Sequence, residues 1–233
     1  MEMSHDRIRG IFDSIACRYD LANDVLSMGI HRLWERDAVR TLRLQPGDRL
    51  IDVGAGSGRM SVLAARSQPA LSGVLLVDFS TEMLRLARAA LPSSPPCRCI
   101  CGDAARLPVQ GGACDGAILA YSLRNMPDVP GVLAELHRVL RPSGRLVILE
   151  FTRPTATLVR VLHLFYTCRI IPPLGGLLTG DRPAYEHLAR SIQEFPATRE
   201  LHCWLAQHGF DTIESRSLAL GIACIHSAAK TRT

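Results

Sequence analysis

Apolar positions recur at two different intervals along this chain, and the switch between them sketches its architecture. Ile8, Ile11, Phe12, Ile15 and Tyr19 are spaced for one face of a helix over 7–20. A second helix is expected over 31–42, stopped by Pro46-Gly47. From residue 49 short apolar runs alternate with helical stretches. RLIDV (49–53), VLLVD (74–78), CRCICGD (97–103), GAILAYS (116–122) and RLVILEF (145–151) read as strands. Helices are expected from Arg59, after Ser80 as N-cap with Glu82 in the first turn, and over 128–140, ended by Arg141-Pro142-Ser143-Gly144. This rhythm predicts an α/β fold with a doubly wound, mostly parallel sheet.

Residues 155–180 break the rhythm. Leu158, Val161, Leu162, Phe165 and Cys168 share a helical face, followed by Pro172-Pro173 and Gly175-Gly176. This insertion reads either as a substrate lid or as a helix that packs on the sheet. A helix over 199–208 and two strands, 210–217 and 222–228, then predict an antiparallel hairpin at the sheet edge. The expected organisation is a single domain, 1–233, with an N-terminal helical cap over 1–45 and an insertion over 155–198.

At 233 residues and 47% hydrophobic content the chain can bury one α/β core. The net charge of +5 suits a membrane surface or an anionic substrate. No basic run is interleaved with aromatics, so nucleic-acid binding has little support. The eight cysteines do not resemble a disulfide framework. Cys97, Cys99 and Cys101 alternate on one strand face, in neither a C-x-x-C nor a zinc spacing, and no metal site is expected. The first residues lack an apolar signal segment, and no run of about 18 uncharged apolar residues occurs.

The chemistry concentrates in Leu50–Met60, LIDVGAGSGRM, where a strand runs through a glycine turn into a helix. Asp78 closes the next strand, twenty residues after Gly58. Such a unit holds an adenosine-containing ligand, with the carboxylate on the ribose diol. A dinucleotide fingerprint needs glycine at 59, where the chain has Arg59. Gly54, Gly56 and Gly58, led by Asp52, point instead to S-adenosylmethionine. Asp103, at the end of the third strand, is placed for an adenine amino group or for a turn cap, and Ala104 leaves room for a ring. The fourth strand runs into Tyr121-Ser122-Leu123-Arg124-Asn125 at the mouth of the crevice. Tyr19-Asp20, Asn23, Ser27, His31 and Trp34 form a polar-aromatic set on the N-terminal helices. Singly, His31 reads as a satisfied packing histidine.

Four stretches carry a resemblance over essentially the whole chain: YDLANDVLSMGIHRLW (19–34), the glycine turn with VDFSTEML, YSLRN (121–125) and RVLRPSGRLVILEFT. They resemble the ubiquinone/menaquinone biosynthesis C-methyltransferases, the demethylmenaquinone methyltransferase family. Ala22, Ser122, Arg141, Ser143 and Thr152 depart from the family pattern, as do Arg59, where aspartate is usual, and Ala120, where serine often stands.

The resemblance implies a class I methyltransferase fold, Rossmann-like, and methyl transfer from S-adenosylmethionine to a ring carbon of a prenylated quinol. Ring type and tail length stay open. It implies cofactor contacts from Asp52, Gly54, Gly56, Ser57, Gly58, Asp78, Phe79, Met83, Asp103, Ala104, Ala120 and Tyr121. Catalysis would rest on Arg124, Tyr19 and His31, and acceptor binding on Asn125, Phe165, Tyr166 and Arg169. Arg124 stays protonated, so its expected part is to stabilise a developing phenolate or orient a water. A cytoplasmic enzyme placed peripherally at the inner face of a membrane is expected, with a homodimer left open. The alternatives are methylation of another small molecule, or a non-catalytic scaffold in a quinone-synthesis complex.

Overall fold

The computed structural model describes residues 5–232, with side chains from residue 9, so the side chain of Ile8 and the first four residues lie outside the described ones. The expected first helix is two helices, α1 (His5–Ile15) and α2 (Tyr19–Leu26), separated by a 3₁₀ turn at Ala16–Arg18. Periodicity alone could not show the break, because the apolar spacing continues through it. The break matters for the site, since it starts a new helix at Tyr19-Asp20.

The order continues α3 (His31–Leu42), β1 (Arg49–Val53), α4 (Arg59–Ser67), β2 (Gly73–Asp78), α5 (Thr81–Ala90), β3 (Cys97–Cys101) and β4 (Cys114–Ala120). Then come α6 (Val129–Val139), β5 (Leu140–Phe151), α7 (Thr157–Phe165), a π-helical turn (Tyr166–Ile170), α8 (Ile171–Thr179), α9 (Arg182–Glu194), α10 (Thr198–Gln207), β6 (Phe210–Leu218) and β7 (Ala223–Lys230). Ser80 caps α5 by accepting from the Met83 N–H, and Asp128 caps α6 by accepting from Gly131. Arg141-Pro142-Ser143-Gly144 stops α6 but also opens β5, with a register shift against β4.

The described strands form one sheet in the order β3-β2-β1-β4-β5-β7-β6. All pairs from β3 to β5 are parallel, and β7 runs antiparallel between β5 and β6, as the expected edge hairpin requires. Strand order reverses between β1 and β4, so a crevice opens at their carboxyl ends. One face buries Leu133, Leu136, Leu201 and Leu205 of α6 and α10. The other buries Val39, Leu42, Met60 and Leu84 of α3, α4 and α5. A smaller apolar cluster (Ile15, Ala22, Leu26, Ile171, Ala184, Tyr185) joins the N-terminal helices to the insertion.

Thr157–Thr179 is one continuous helical run of 23 residues with mean hydropathy 1.3, long and apolar enough to cross a bilayer. The sequence criterion of an uncharged run misses it, because Arg160 and Arg169 interrupt it.

Candidate active site

The glycine turn is held by close approach. Gly54 has φ +68, and a Cβ there would lie 2.5 Å from Ser122 Cβ. Ser122 itself donates to the Val53 carbonyl at 3.2 Å. Gly58 serves packing: at φ +79 its Cβ would meet Ala87 at 2.9 Å, so it fixes how α4 sits on α5.

Asp78 is buried at the end of β2. Its Oδ2 accepts the Gly56 N–H and its Oδ1 the Ser80 N–H, both at 2.8 Å. A carboxylate has about four lone-pair positions, so these bonds do not exhaust its capacity to accept from a ligand hydroxyl. Burial raises its pKa, against the backbone donors. Asp78, Phe79, Asp103, Ala104 and Gly54 line a cleft of about 280 Å³ that also reaches Asn125. Asp103 both lines this cleft and accepts the Ala105 N–H at 2.9 Å, so the two readings of it coexist.

A second, larger cavity of about 510 Å³ shares Gly54 and Asn125 with the cleft. Asp52, Gly56, Ser57, Ala120 and Tyr121 face this chamber, together with Tyr19, His31, Arg124 and Tyr166. Asp52 is 1% exposed; its Oδ2 accepts from Ser61 N–H and Oγ, and its Oδ1 has no partner. Burial pushes its pKa up to about 7. An unpaired buried carboxylate oxygen beside a glycine turn suits the cationic amino-acid end of S-adenosylmethionine. With the nucleoside-sized cleft at Asp78, the residues present fit that cofactor.

Four of the expected contacts fall elsewhere, Gly58 among them, since it packs on Ala87 and lines neither cavity. Met83 is 1% exposed and lines neither cavity, its N–H spent on the Ser80 cap. Phe165 is 59% exposed, and neither it nor the exposed Arg169 lines the chamber. The helical register explains this. The inward face of the insertion is Val159, Leu162, His163, Tyr166 and Thr167, one step round from the apolar stripe read in the sequence.

The N-terminal helices roof the chamber and are tied to the glycine turn and the starts of α4 and α5 by three side-chain pairs. Asp13 accepts from Ser80 Oγ (2.5 Å), Asp20 from Ser57 Oγ (2.9 Å), and Glu35 from Arg59 Nη2 (2.7 Å) and Nε (3.1 Å). Arg59 thus has a structural use in this chain, as the partner of the buried Glu35.

His31 is buried at the start of α3. Its Nδ1 lies 2.5 Å from Ser27 Oγ, which is 2.7 Å from the Asn23 carbonyl. Its Nε2 has no hydrogen-bond partner and stands 3.6 Å from Asp24 and 3.9 Å from Glu35. Burial lowers the pKa, so the ring rests neutral, while the two carboxylates favour a proton that arrives. Tyr19, half-buried, is kept un-ionised mainly by burial, opposed by the Arg124 charge.

Arg124 is not a free cation. It is bonded to Glu150, a residue the sequence reading missed, with side-chain exposures of 5% and 0%. A lone carboxylate within an apolar strand was the available signal, since such a charge needs a partner. His187 of α9 was missed as well; its Nε2 lies 3.0 Å from Asn125 Oδ1.

A family model described as the ubiE/COQ5 methyltransferase family matches residues 1–230. The chain belongs to that family. The ubiquinone/menaquinone biosynthesis C-methyltransferase of Geotalea uraniireducens is 37% identical over 235 residues, covering 97% of each chain. Its counterpart in Acidiphilium cryptum is also 37% identical, covering 95% of this chain and 89% of its own. Among solved structures, a Thermotoga maritima S-adenosylmethionine-dependent methyltransferase superposes with TM-score 0.68 at 19% identity, covering 96% of this chain and all of its own. A Haemonchus contortus phosphoethanolamine N-methyltransferase, solved with S-adenosylhomocysteine, gives 0.60 at 16%, covering 81% of this chain and 50% of its own. These two bear on the fold alone. This ubiE/COQ5-family protein is an S-adenosylmethionine-dependent C-methyltransferase with the expected class I fold.

Proposed function

We propose that the methyl acceptor is a ring carbon of a reduced, prenylated quinone, bound in the larger chamber. The observation that carries this is the chamber's make-up. Aliphatic and aromatic side chains dominate its lining, with one deeply buried arginine among them, and it opens at an apolar rim. Met28 (81% exposed), Leu162 (60%) and Leu220 (78%) both line it and face solvent. A quinol ring with an apolar tail matches that gradient; a small polar metabolite would leave the lining unmatched. The relatives named above as quinone-biosynthesis enzymes support the same choice.

S-adenosylmethionine supplies an electrophilic methyl when bound, held by Asp78, Phe79, Asp103 and Ala104 at its nucleoside and by Asp52, Gly54, Gly56 and Ser57 at its other end. The chain supplies the rest. Arg124 stabilises the acceptor's oxygen as phenolate, which makes the ring carbon nucleophilic. His31 Nε2 accepts the proton the ring must lose, and Asp24 and Glu35 stabilise the imidazolium. Tyr19 and Asn125 orient the ring, and Trp34 and Tyr166 help exclude water.

Leu158, Val161 and Phe165, with Leu162 at the rim, then have a use outside the chamber. They form an exposed apolar stripe on α7 beside the chamber mouth, with Arg160 and Arg169 alongside, suited to a bilayer carrying the substrate. The test is turnover of a demethylated quinol in anionic vesicles, read by mass spectrometry as the gain of one methyl. Phe165→Ser with Val161→Ser should lower vesicle binding and turnover there, with turnover in detergent unchanged. No methylated quinol in either medium refutes the reading; equal vesicle binding by the double variant removes the bilayer from it.

A further inference from the structure

Glu150 lies inside the run RLVILEF at 0% exposure. Its Oε1 accepts from Arg124 Nη1 at 2.5 Å and from the Phe151 N–H at 3.0 Å; its Oε2 faces the Arg124 N–H at 3.4 Å. Arg124 Nη1 also donates to the Tyr121 carbonyl at 2.6 Å, and the guanidinium carbon sits 5.3 Å from the centre of the Phe151 ring. Phe151 in turn stacks on Tyr121 at 4.8 Å. Arg124 lines the chamber and Glu150 does not. Nη1 is therefore committed to the protein, while Nε has no partner within it.

Buried ion pairs seldom add stability over an apolar pair of similar volume. The desolvation of two charges here points to a use in the chamber. We infer that Glu150 is the positioning residue of the methyl transfer: it aims the guanidinium of Arg124 at the acceptor oxygen and offsets its charge. This deepens the quinol reading and rests on it.

The charge balance makes the role measurable. Tyr19 of α2 and Tyr121 face Arg124 un-ionised; Glu150 is the carboxylate bonded to it, its pKa raised by burial and lowered by the Arg124 charge, and Asp20 and Glu35, the latter paired with Arg59, act on the tyrosines beyond. Without the Glu150 charge, Arg124 acts on the acceptor hydroxyl with its full charge and acidifies it.

The test uses the full-length protein with a demethylated quinol in detergent, comparing wild type, Glu150→Gln and Glu150→Asp. Read out are kcat and KM against pH, S-adenosylhomocysteine affinity and Tm. Glu150→Gln keeps the shape and removes the charge. Its maximal kcat should fall about 10–100-fold, with KM and S-adenosylhomocysteine affinity near wild type. The rising limb of its kcat–pH profile should move down by about one pH unit. Glu150→Asp keeps the charge but retracts it; kcat should fall with the limb in place. A Gln variant with wild-type kcat overturns the inference. So does a lowered kcat with an unmoved limb and a lowered Tm, which marks a purely structural pair. If wild type binds S-adenosylhomocysteine yet methylates no quinol, the quinol reading fails and takes this inference with it.

Discussion

The two cavities are built in different ways. Most of the cleft at Asp78 is assembled from the loops that leave β2, β3 and β4. The larger chamber draws on α1, α2, α3, the glycine turn, the loop after β4, and the insertion from α7 to α9. The first is set by short local motifs on a rigid sheet. The second exists only once distant segments have packed together through their own small apolar cluster. A donor shared by many enzymes can be held by a transferable element, whereas an acceptor peculiar to one needs a wall built for it.

The largest effect is expected where the chamber reaches into the sheet. Arg124→Ala leaves Glu150 buried and unpaired, which should cost about 3–5 kcal/mol of stability and about 10²–10³ in kcat. S-adenosylhomocysteine affinity should stay near wild type. Arg124→Met with Glu150→Leu should recover most of the Tm but none of the rate. Recovery of both would make the pair structural, and a lost cofactor affinity would erase the contrast between the cavities.

Asp78→Ala strikes the cleft instead. Each charge-assisted bond lost to a ligand hydroxyl should cost about 1.5–3 kcal/mol of affinity in calorimetric titration. The Gly56 and Ser80 N–H groups lose their acceptor as well, so Tm should also fall, while quinol binding is spared. Unchanged affinity removes Asp78 from the cofactor site.

Asp52 gives the smallest effect near neutral pH and the most diagnostic one. Its folded pKa of about 7 lies above the unfolded carboxyl value. The protonated form therefore stabilises the free protein at low pH, and that contribution is lost as pH rises from about 4 to 7. A cationic ligand end favours the ionised form, so S-adenosylhomocysteine binding should release a proton. Its dissociation constant should fall up to about tenfold per unit as pH rises toward 7, then level off. Asp52→Asn should flatten this dependence. A wild-type affinity without pH dependence separates Asp52 from the ligand.

The sequence disclosed the cleft better than the chamber, for a physical reason. Strand and helix periods are local, and Gly54, Asp78 and Asp103 sit at the ends of elements those periods define. The chamber wall depends on which face of α7 turns inward, which neighbours decide; Phe165 and Arg169 were therefore expected inside and lie outside. The break at Ala16–Arg18 interrupts no apolar period and was invisible for the same reason. Glu150 was legible in principle, as a charge stranded in an apolar strand, but its partner on the loop after β4 was not.

The bonds from Asp13, Asp20 and Glu35 to Ser80, Ser57 and Arg59 have a consequence for the timing of turnover. All three end at the glycine turn or the starts of α4 and α5, and all three start on the helices that roof the larger chamber. On the function proposed above, seating the cofactor and ordering these helices over the acceptor are then linked. Whatever free energy a seated cofactor lends to the closed roof, the closed roof returns in full to the cofactor's residence. On the function proposed above, a spent cofactor is held longest while the methylated ring is still beneath the roof, and the expected order of departure is the quinol first.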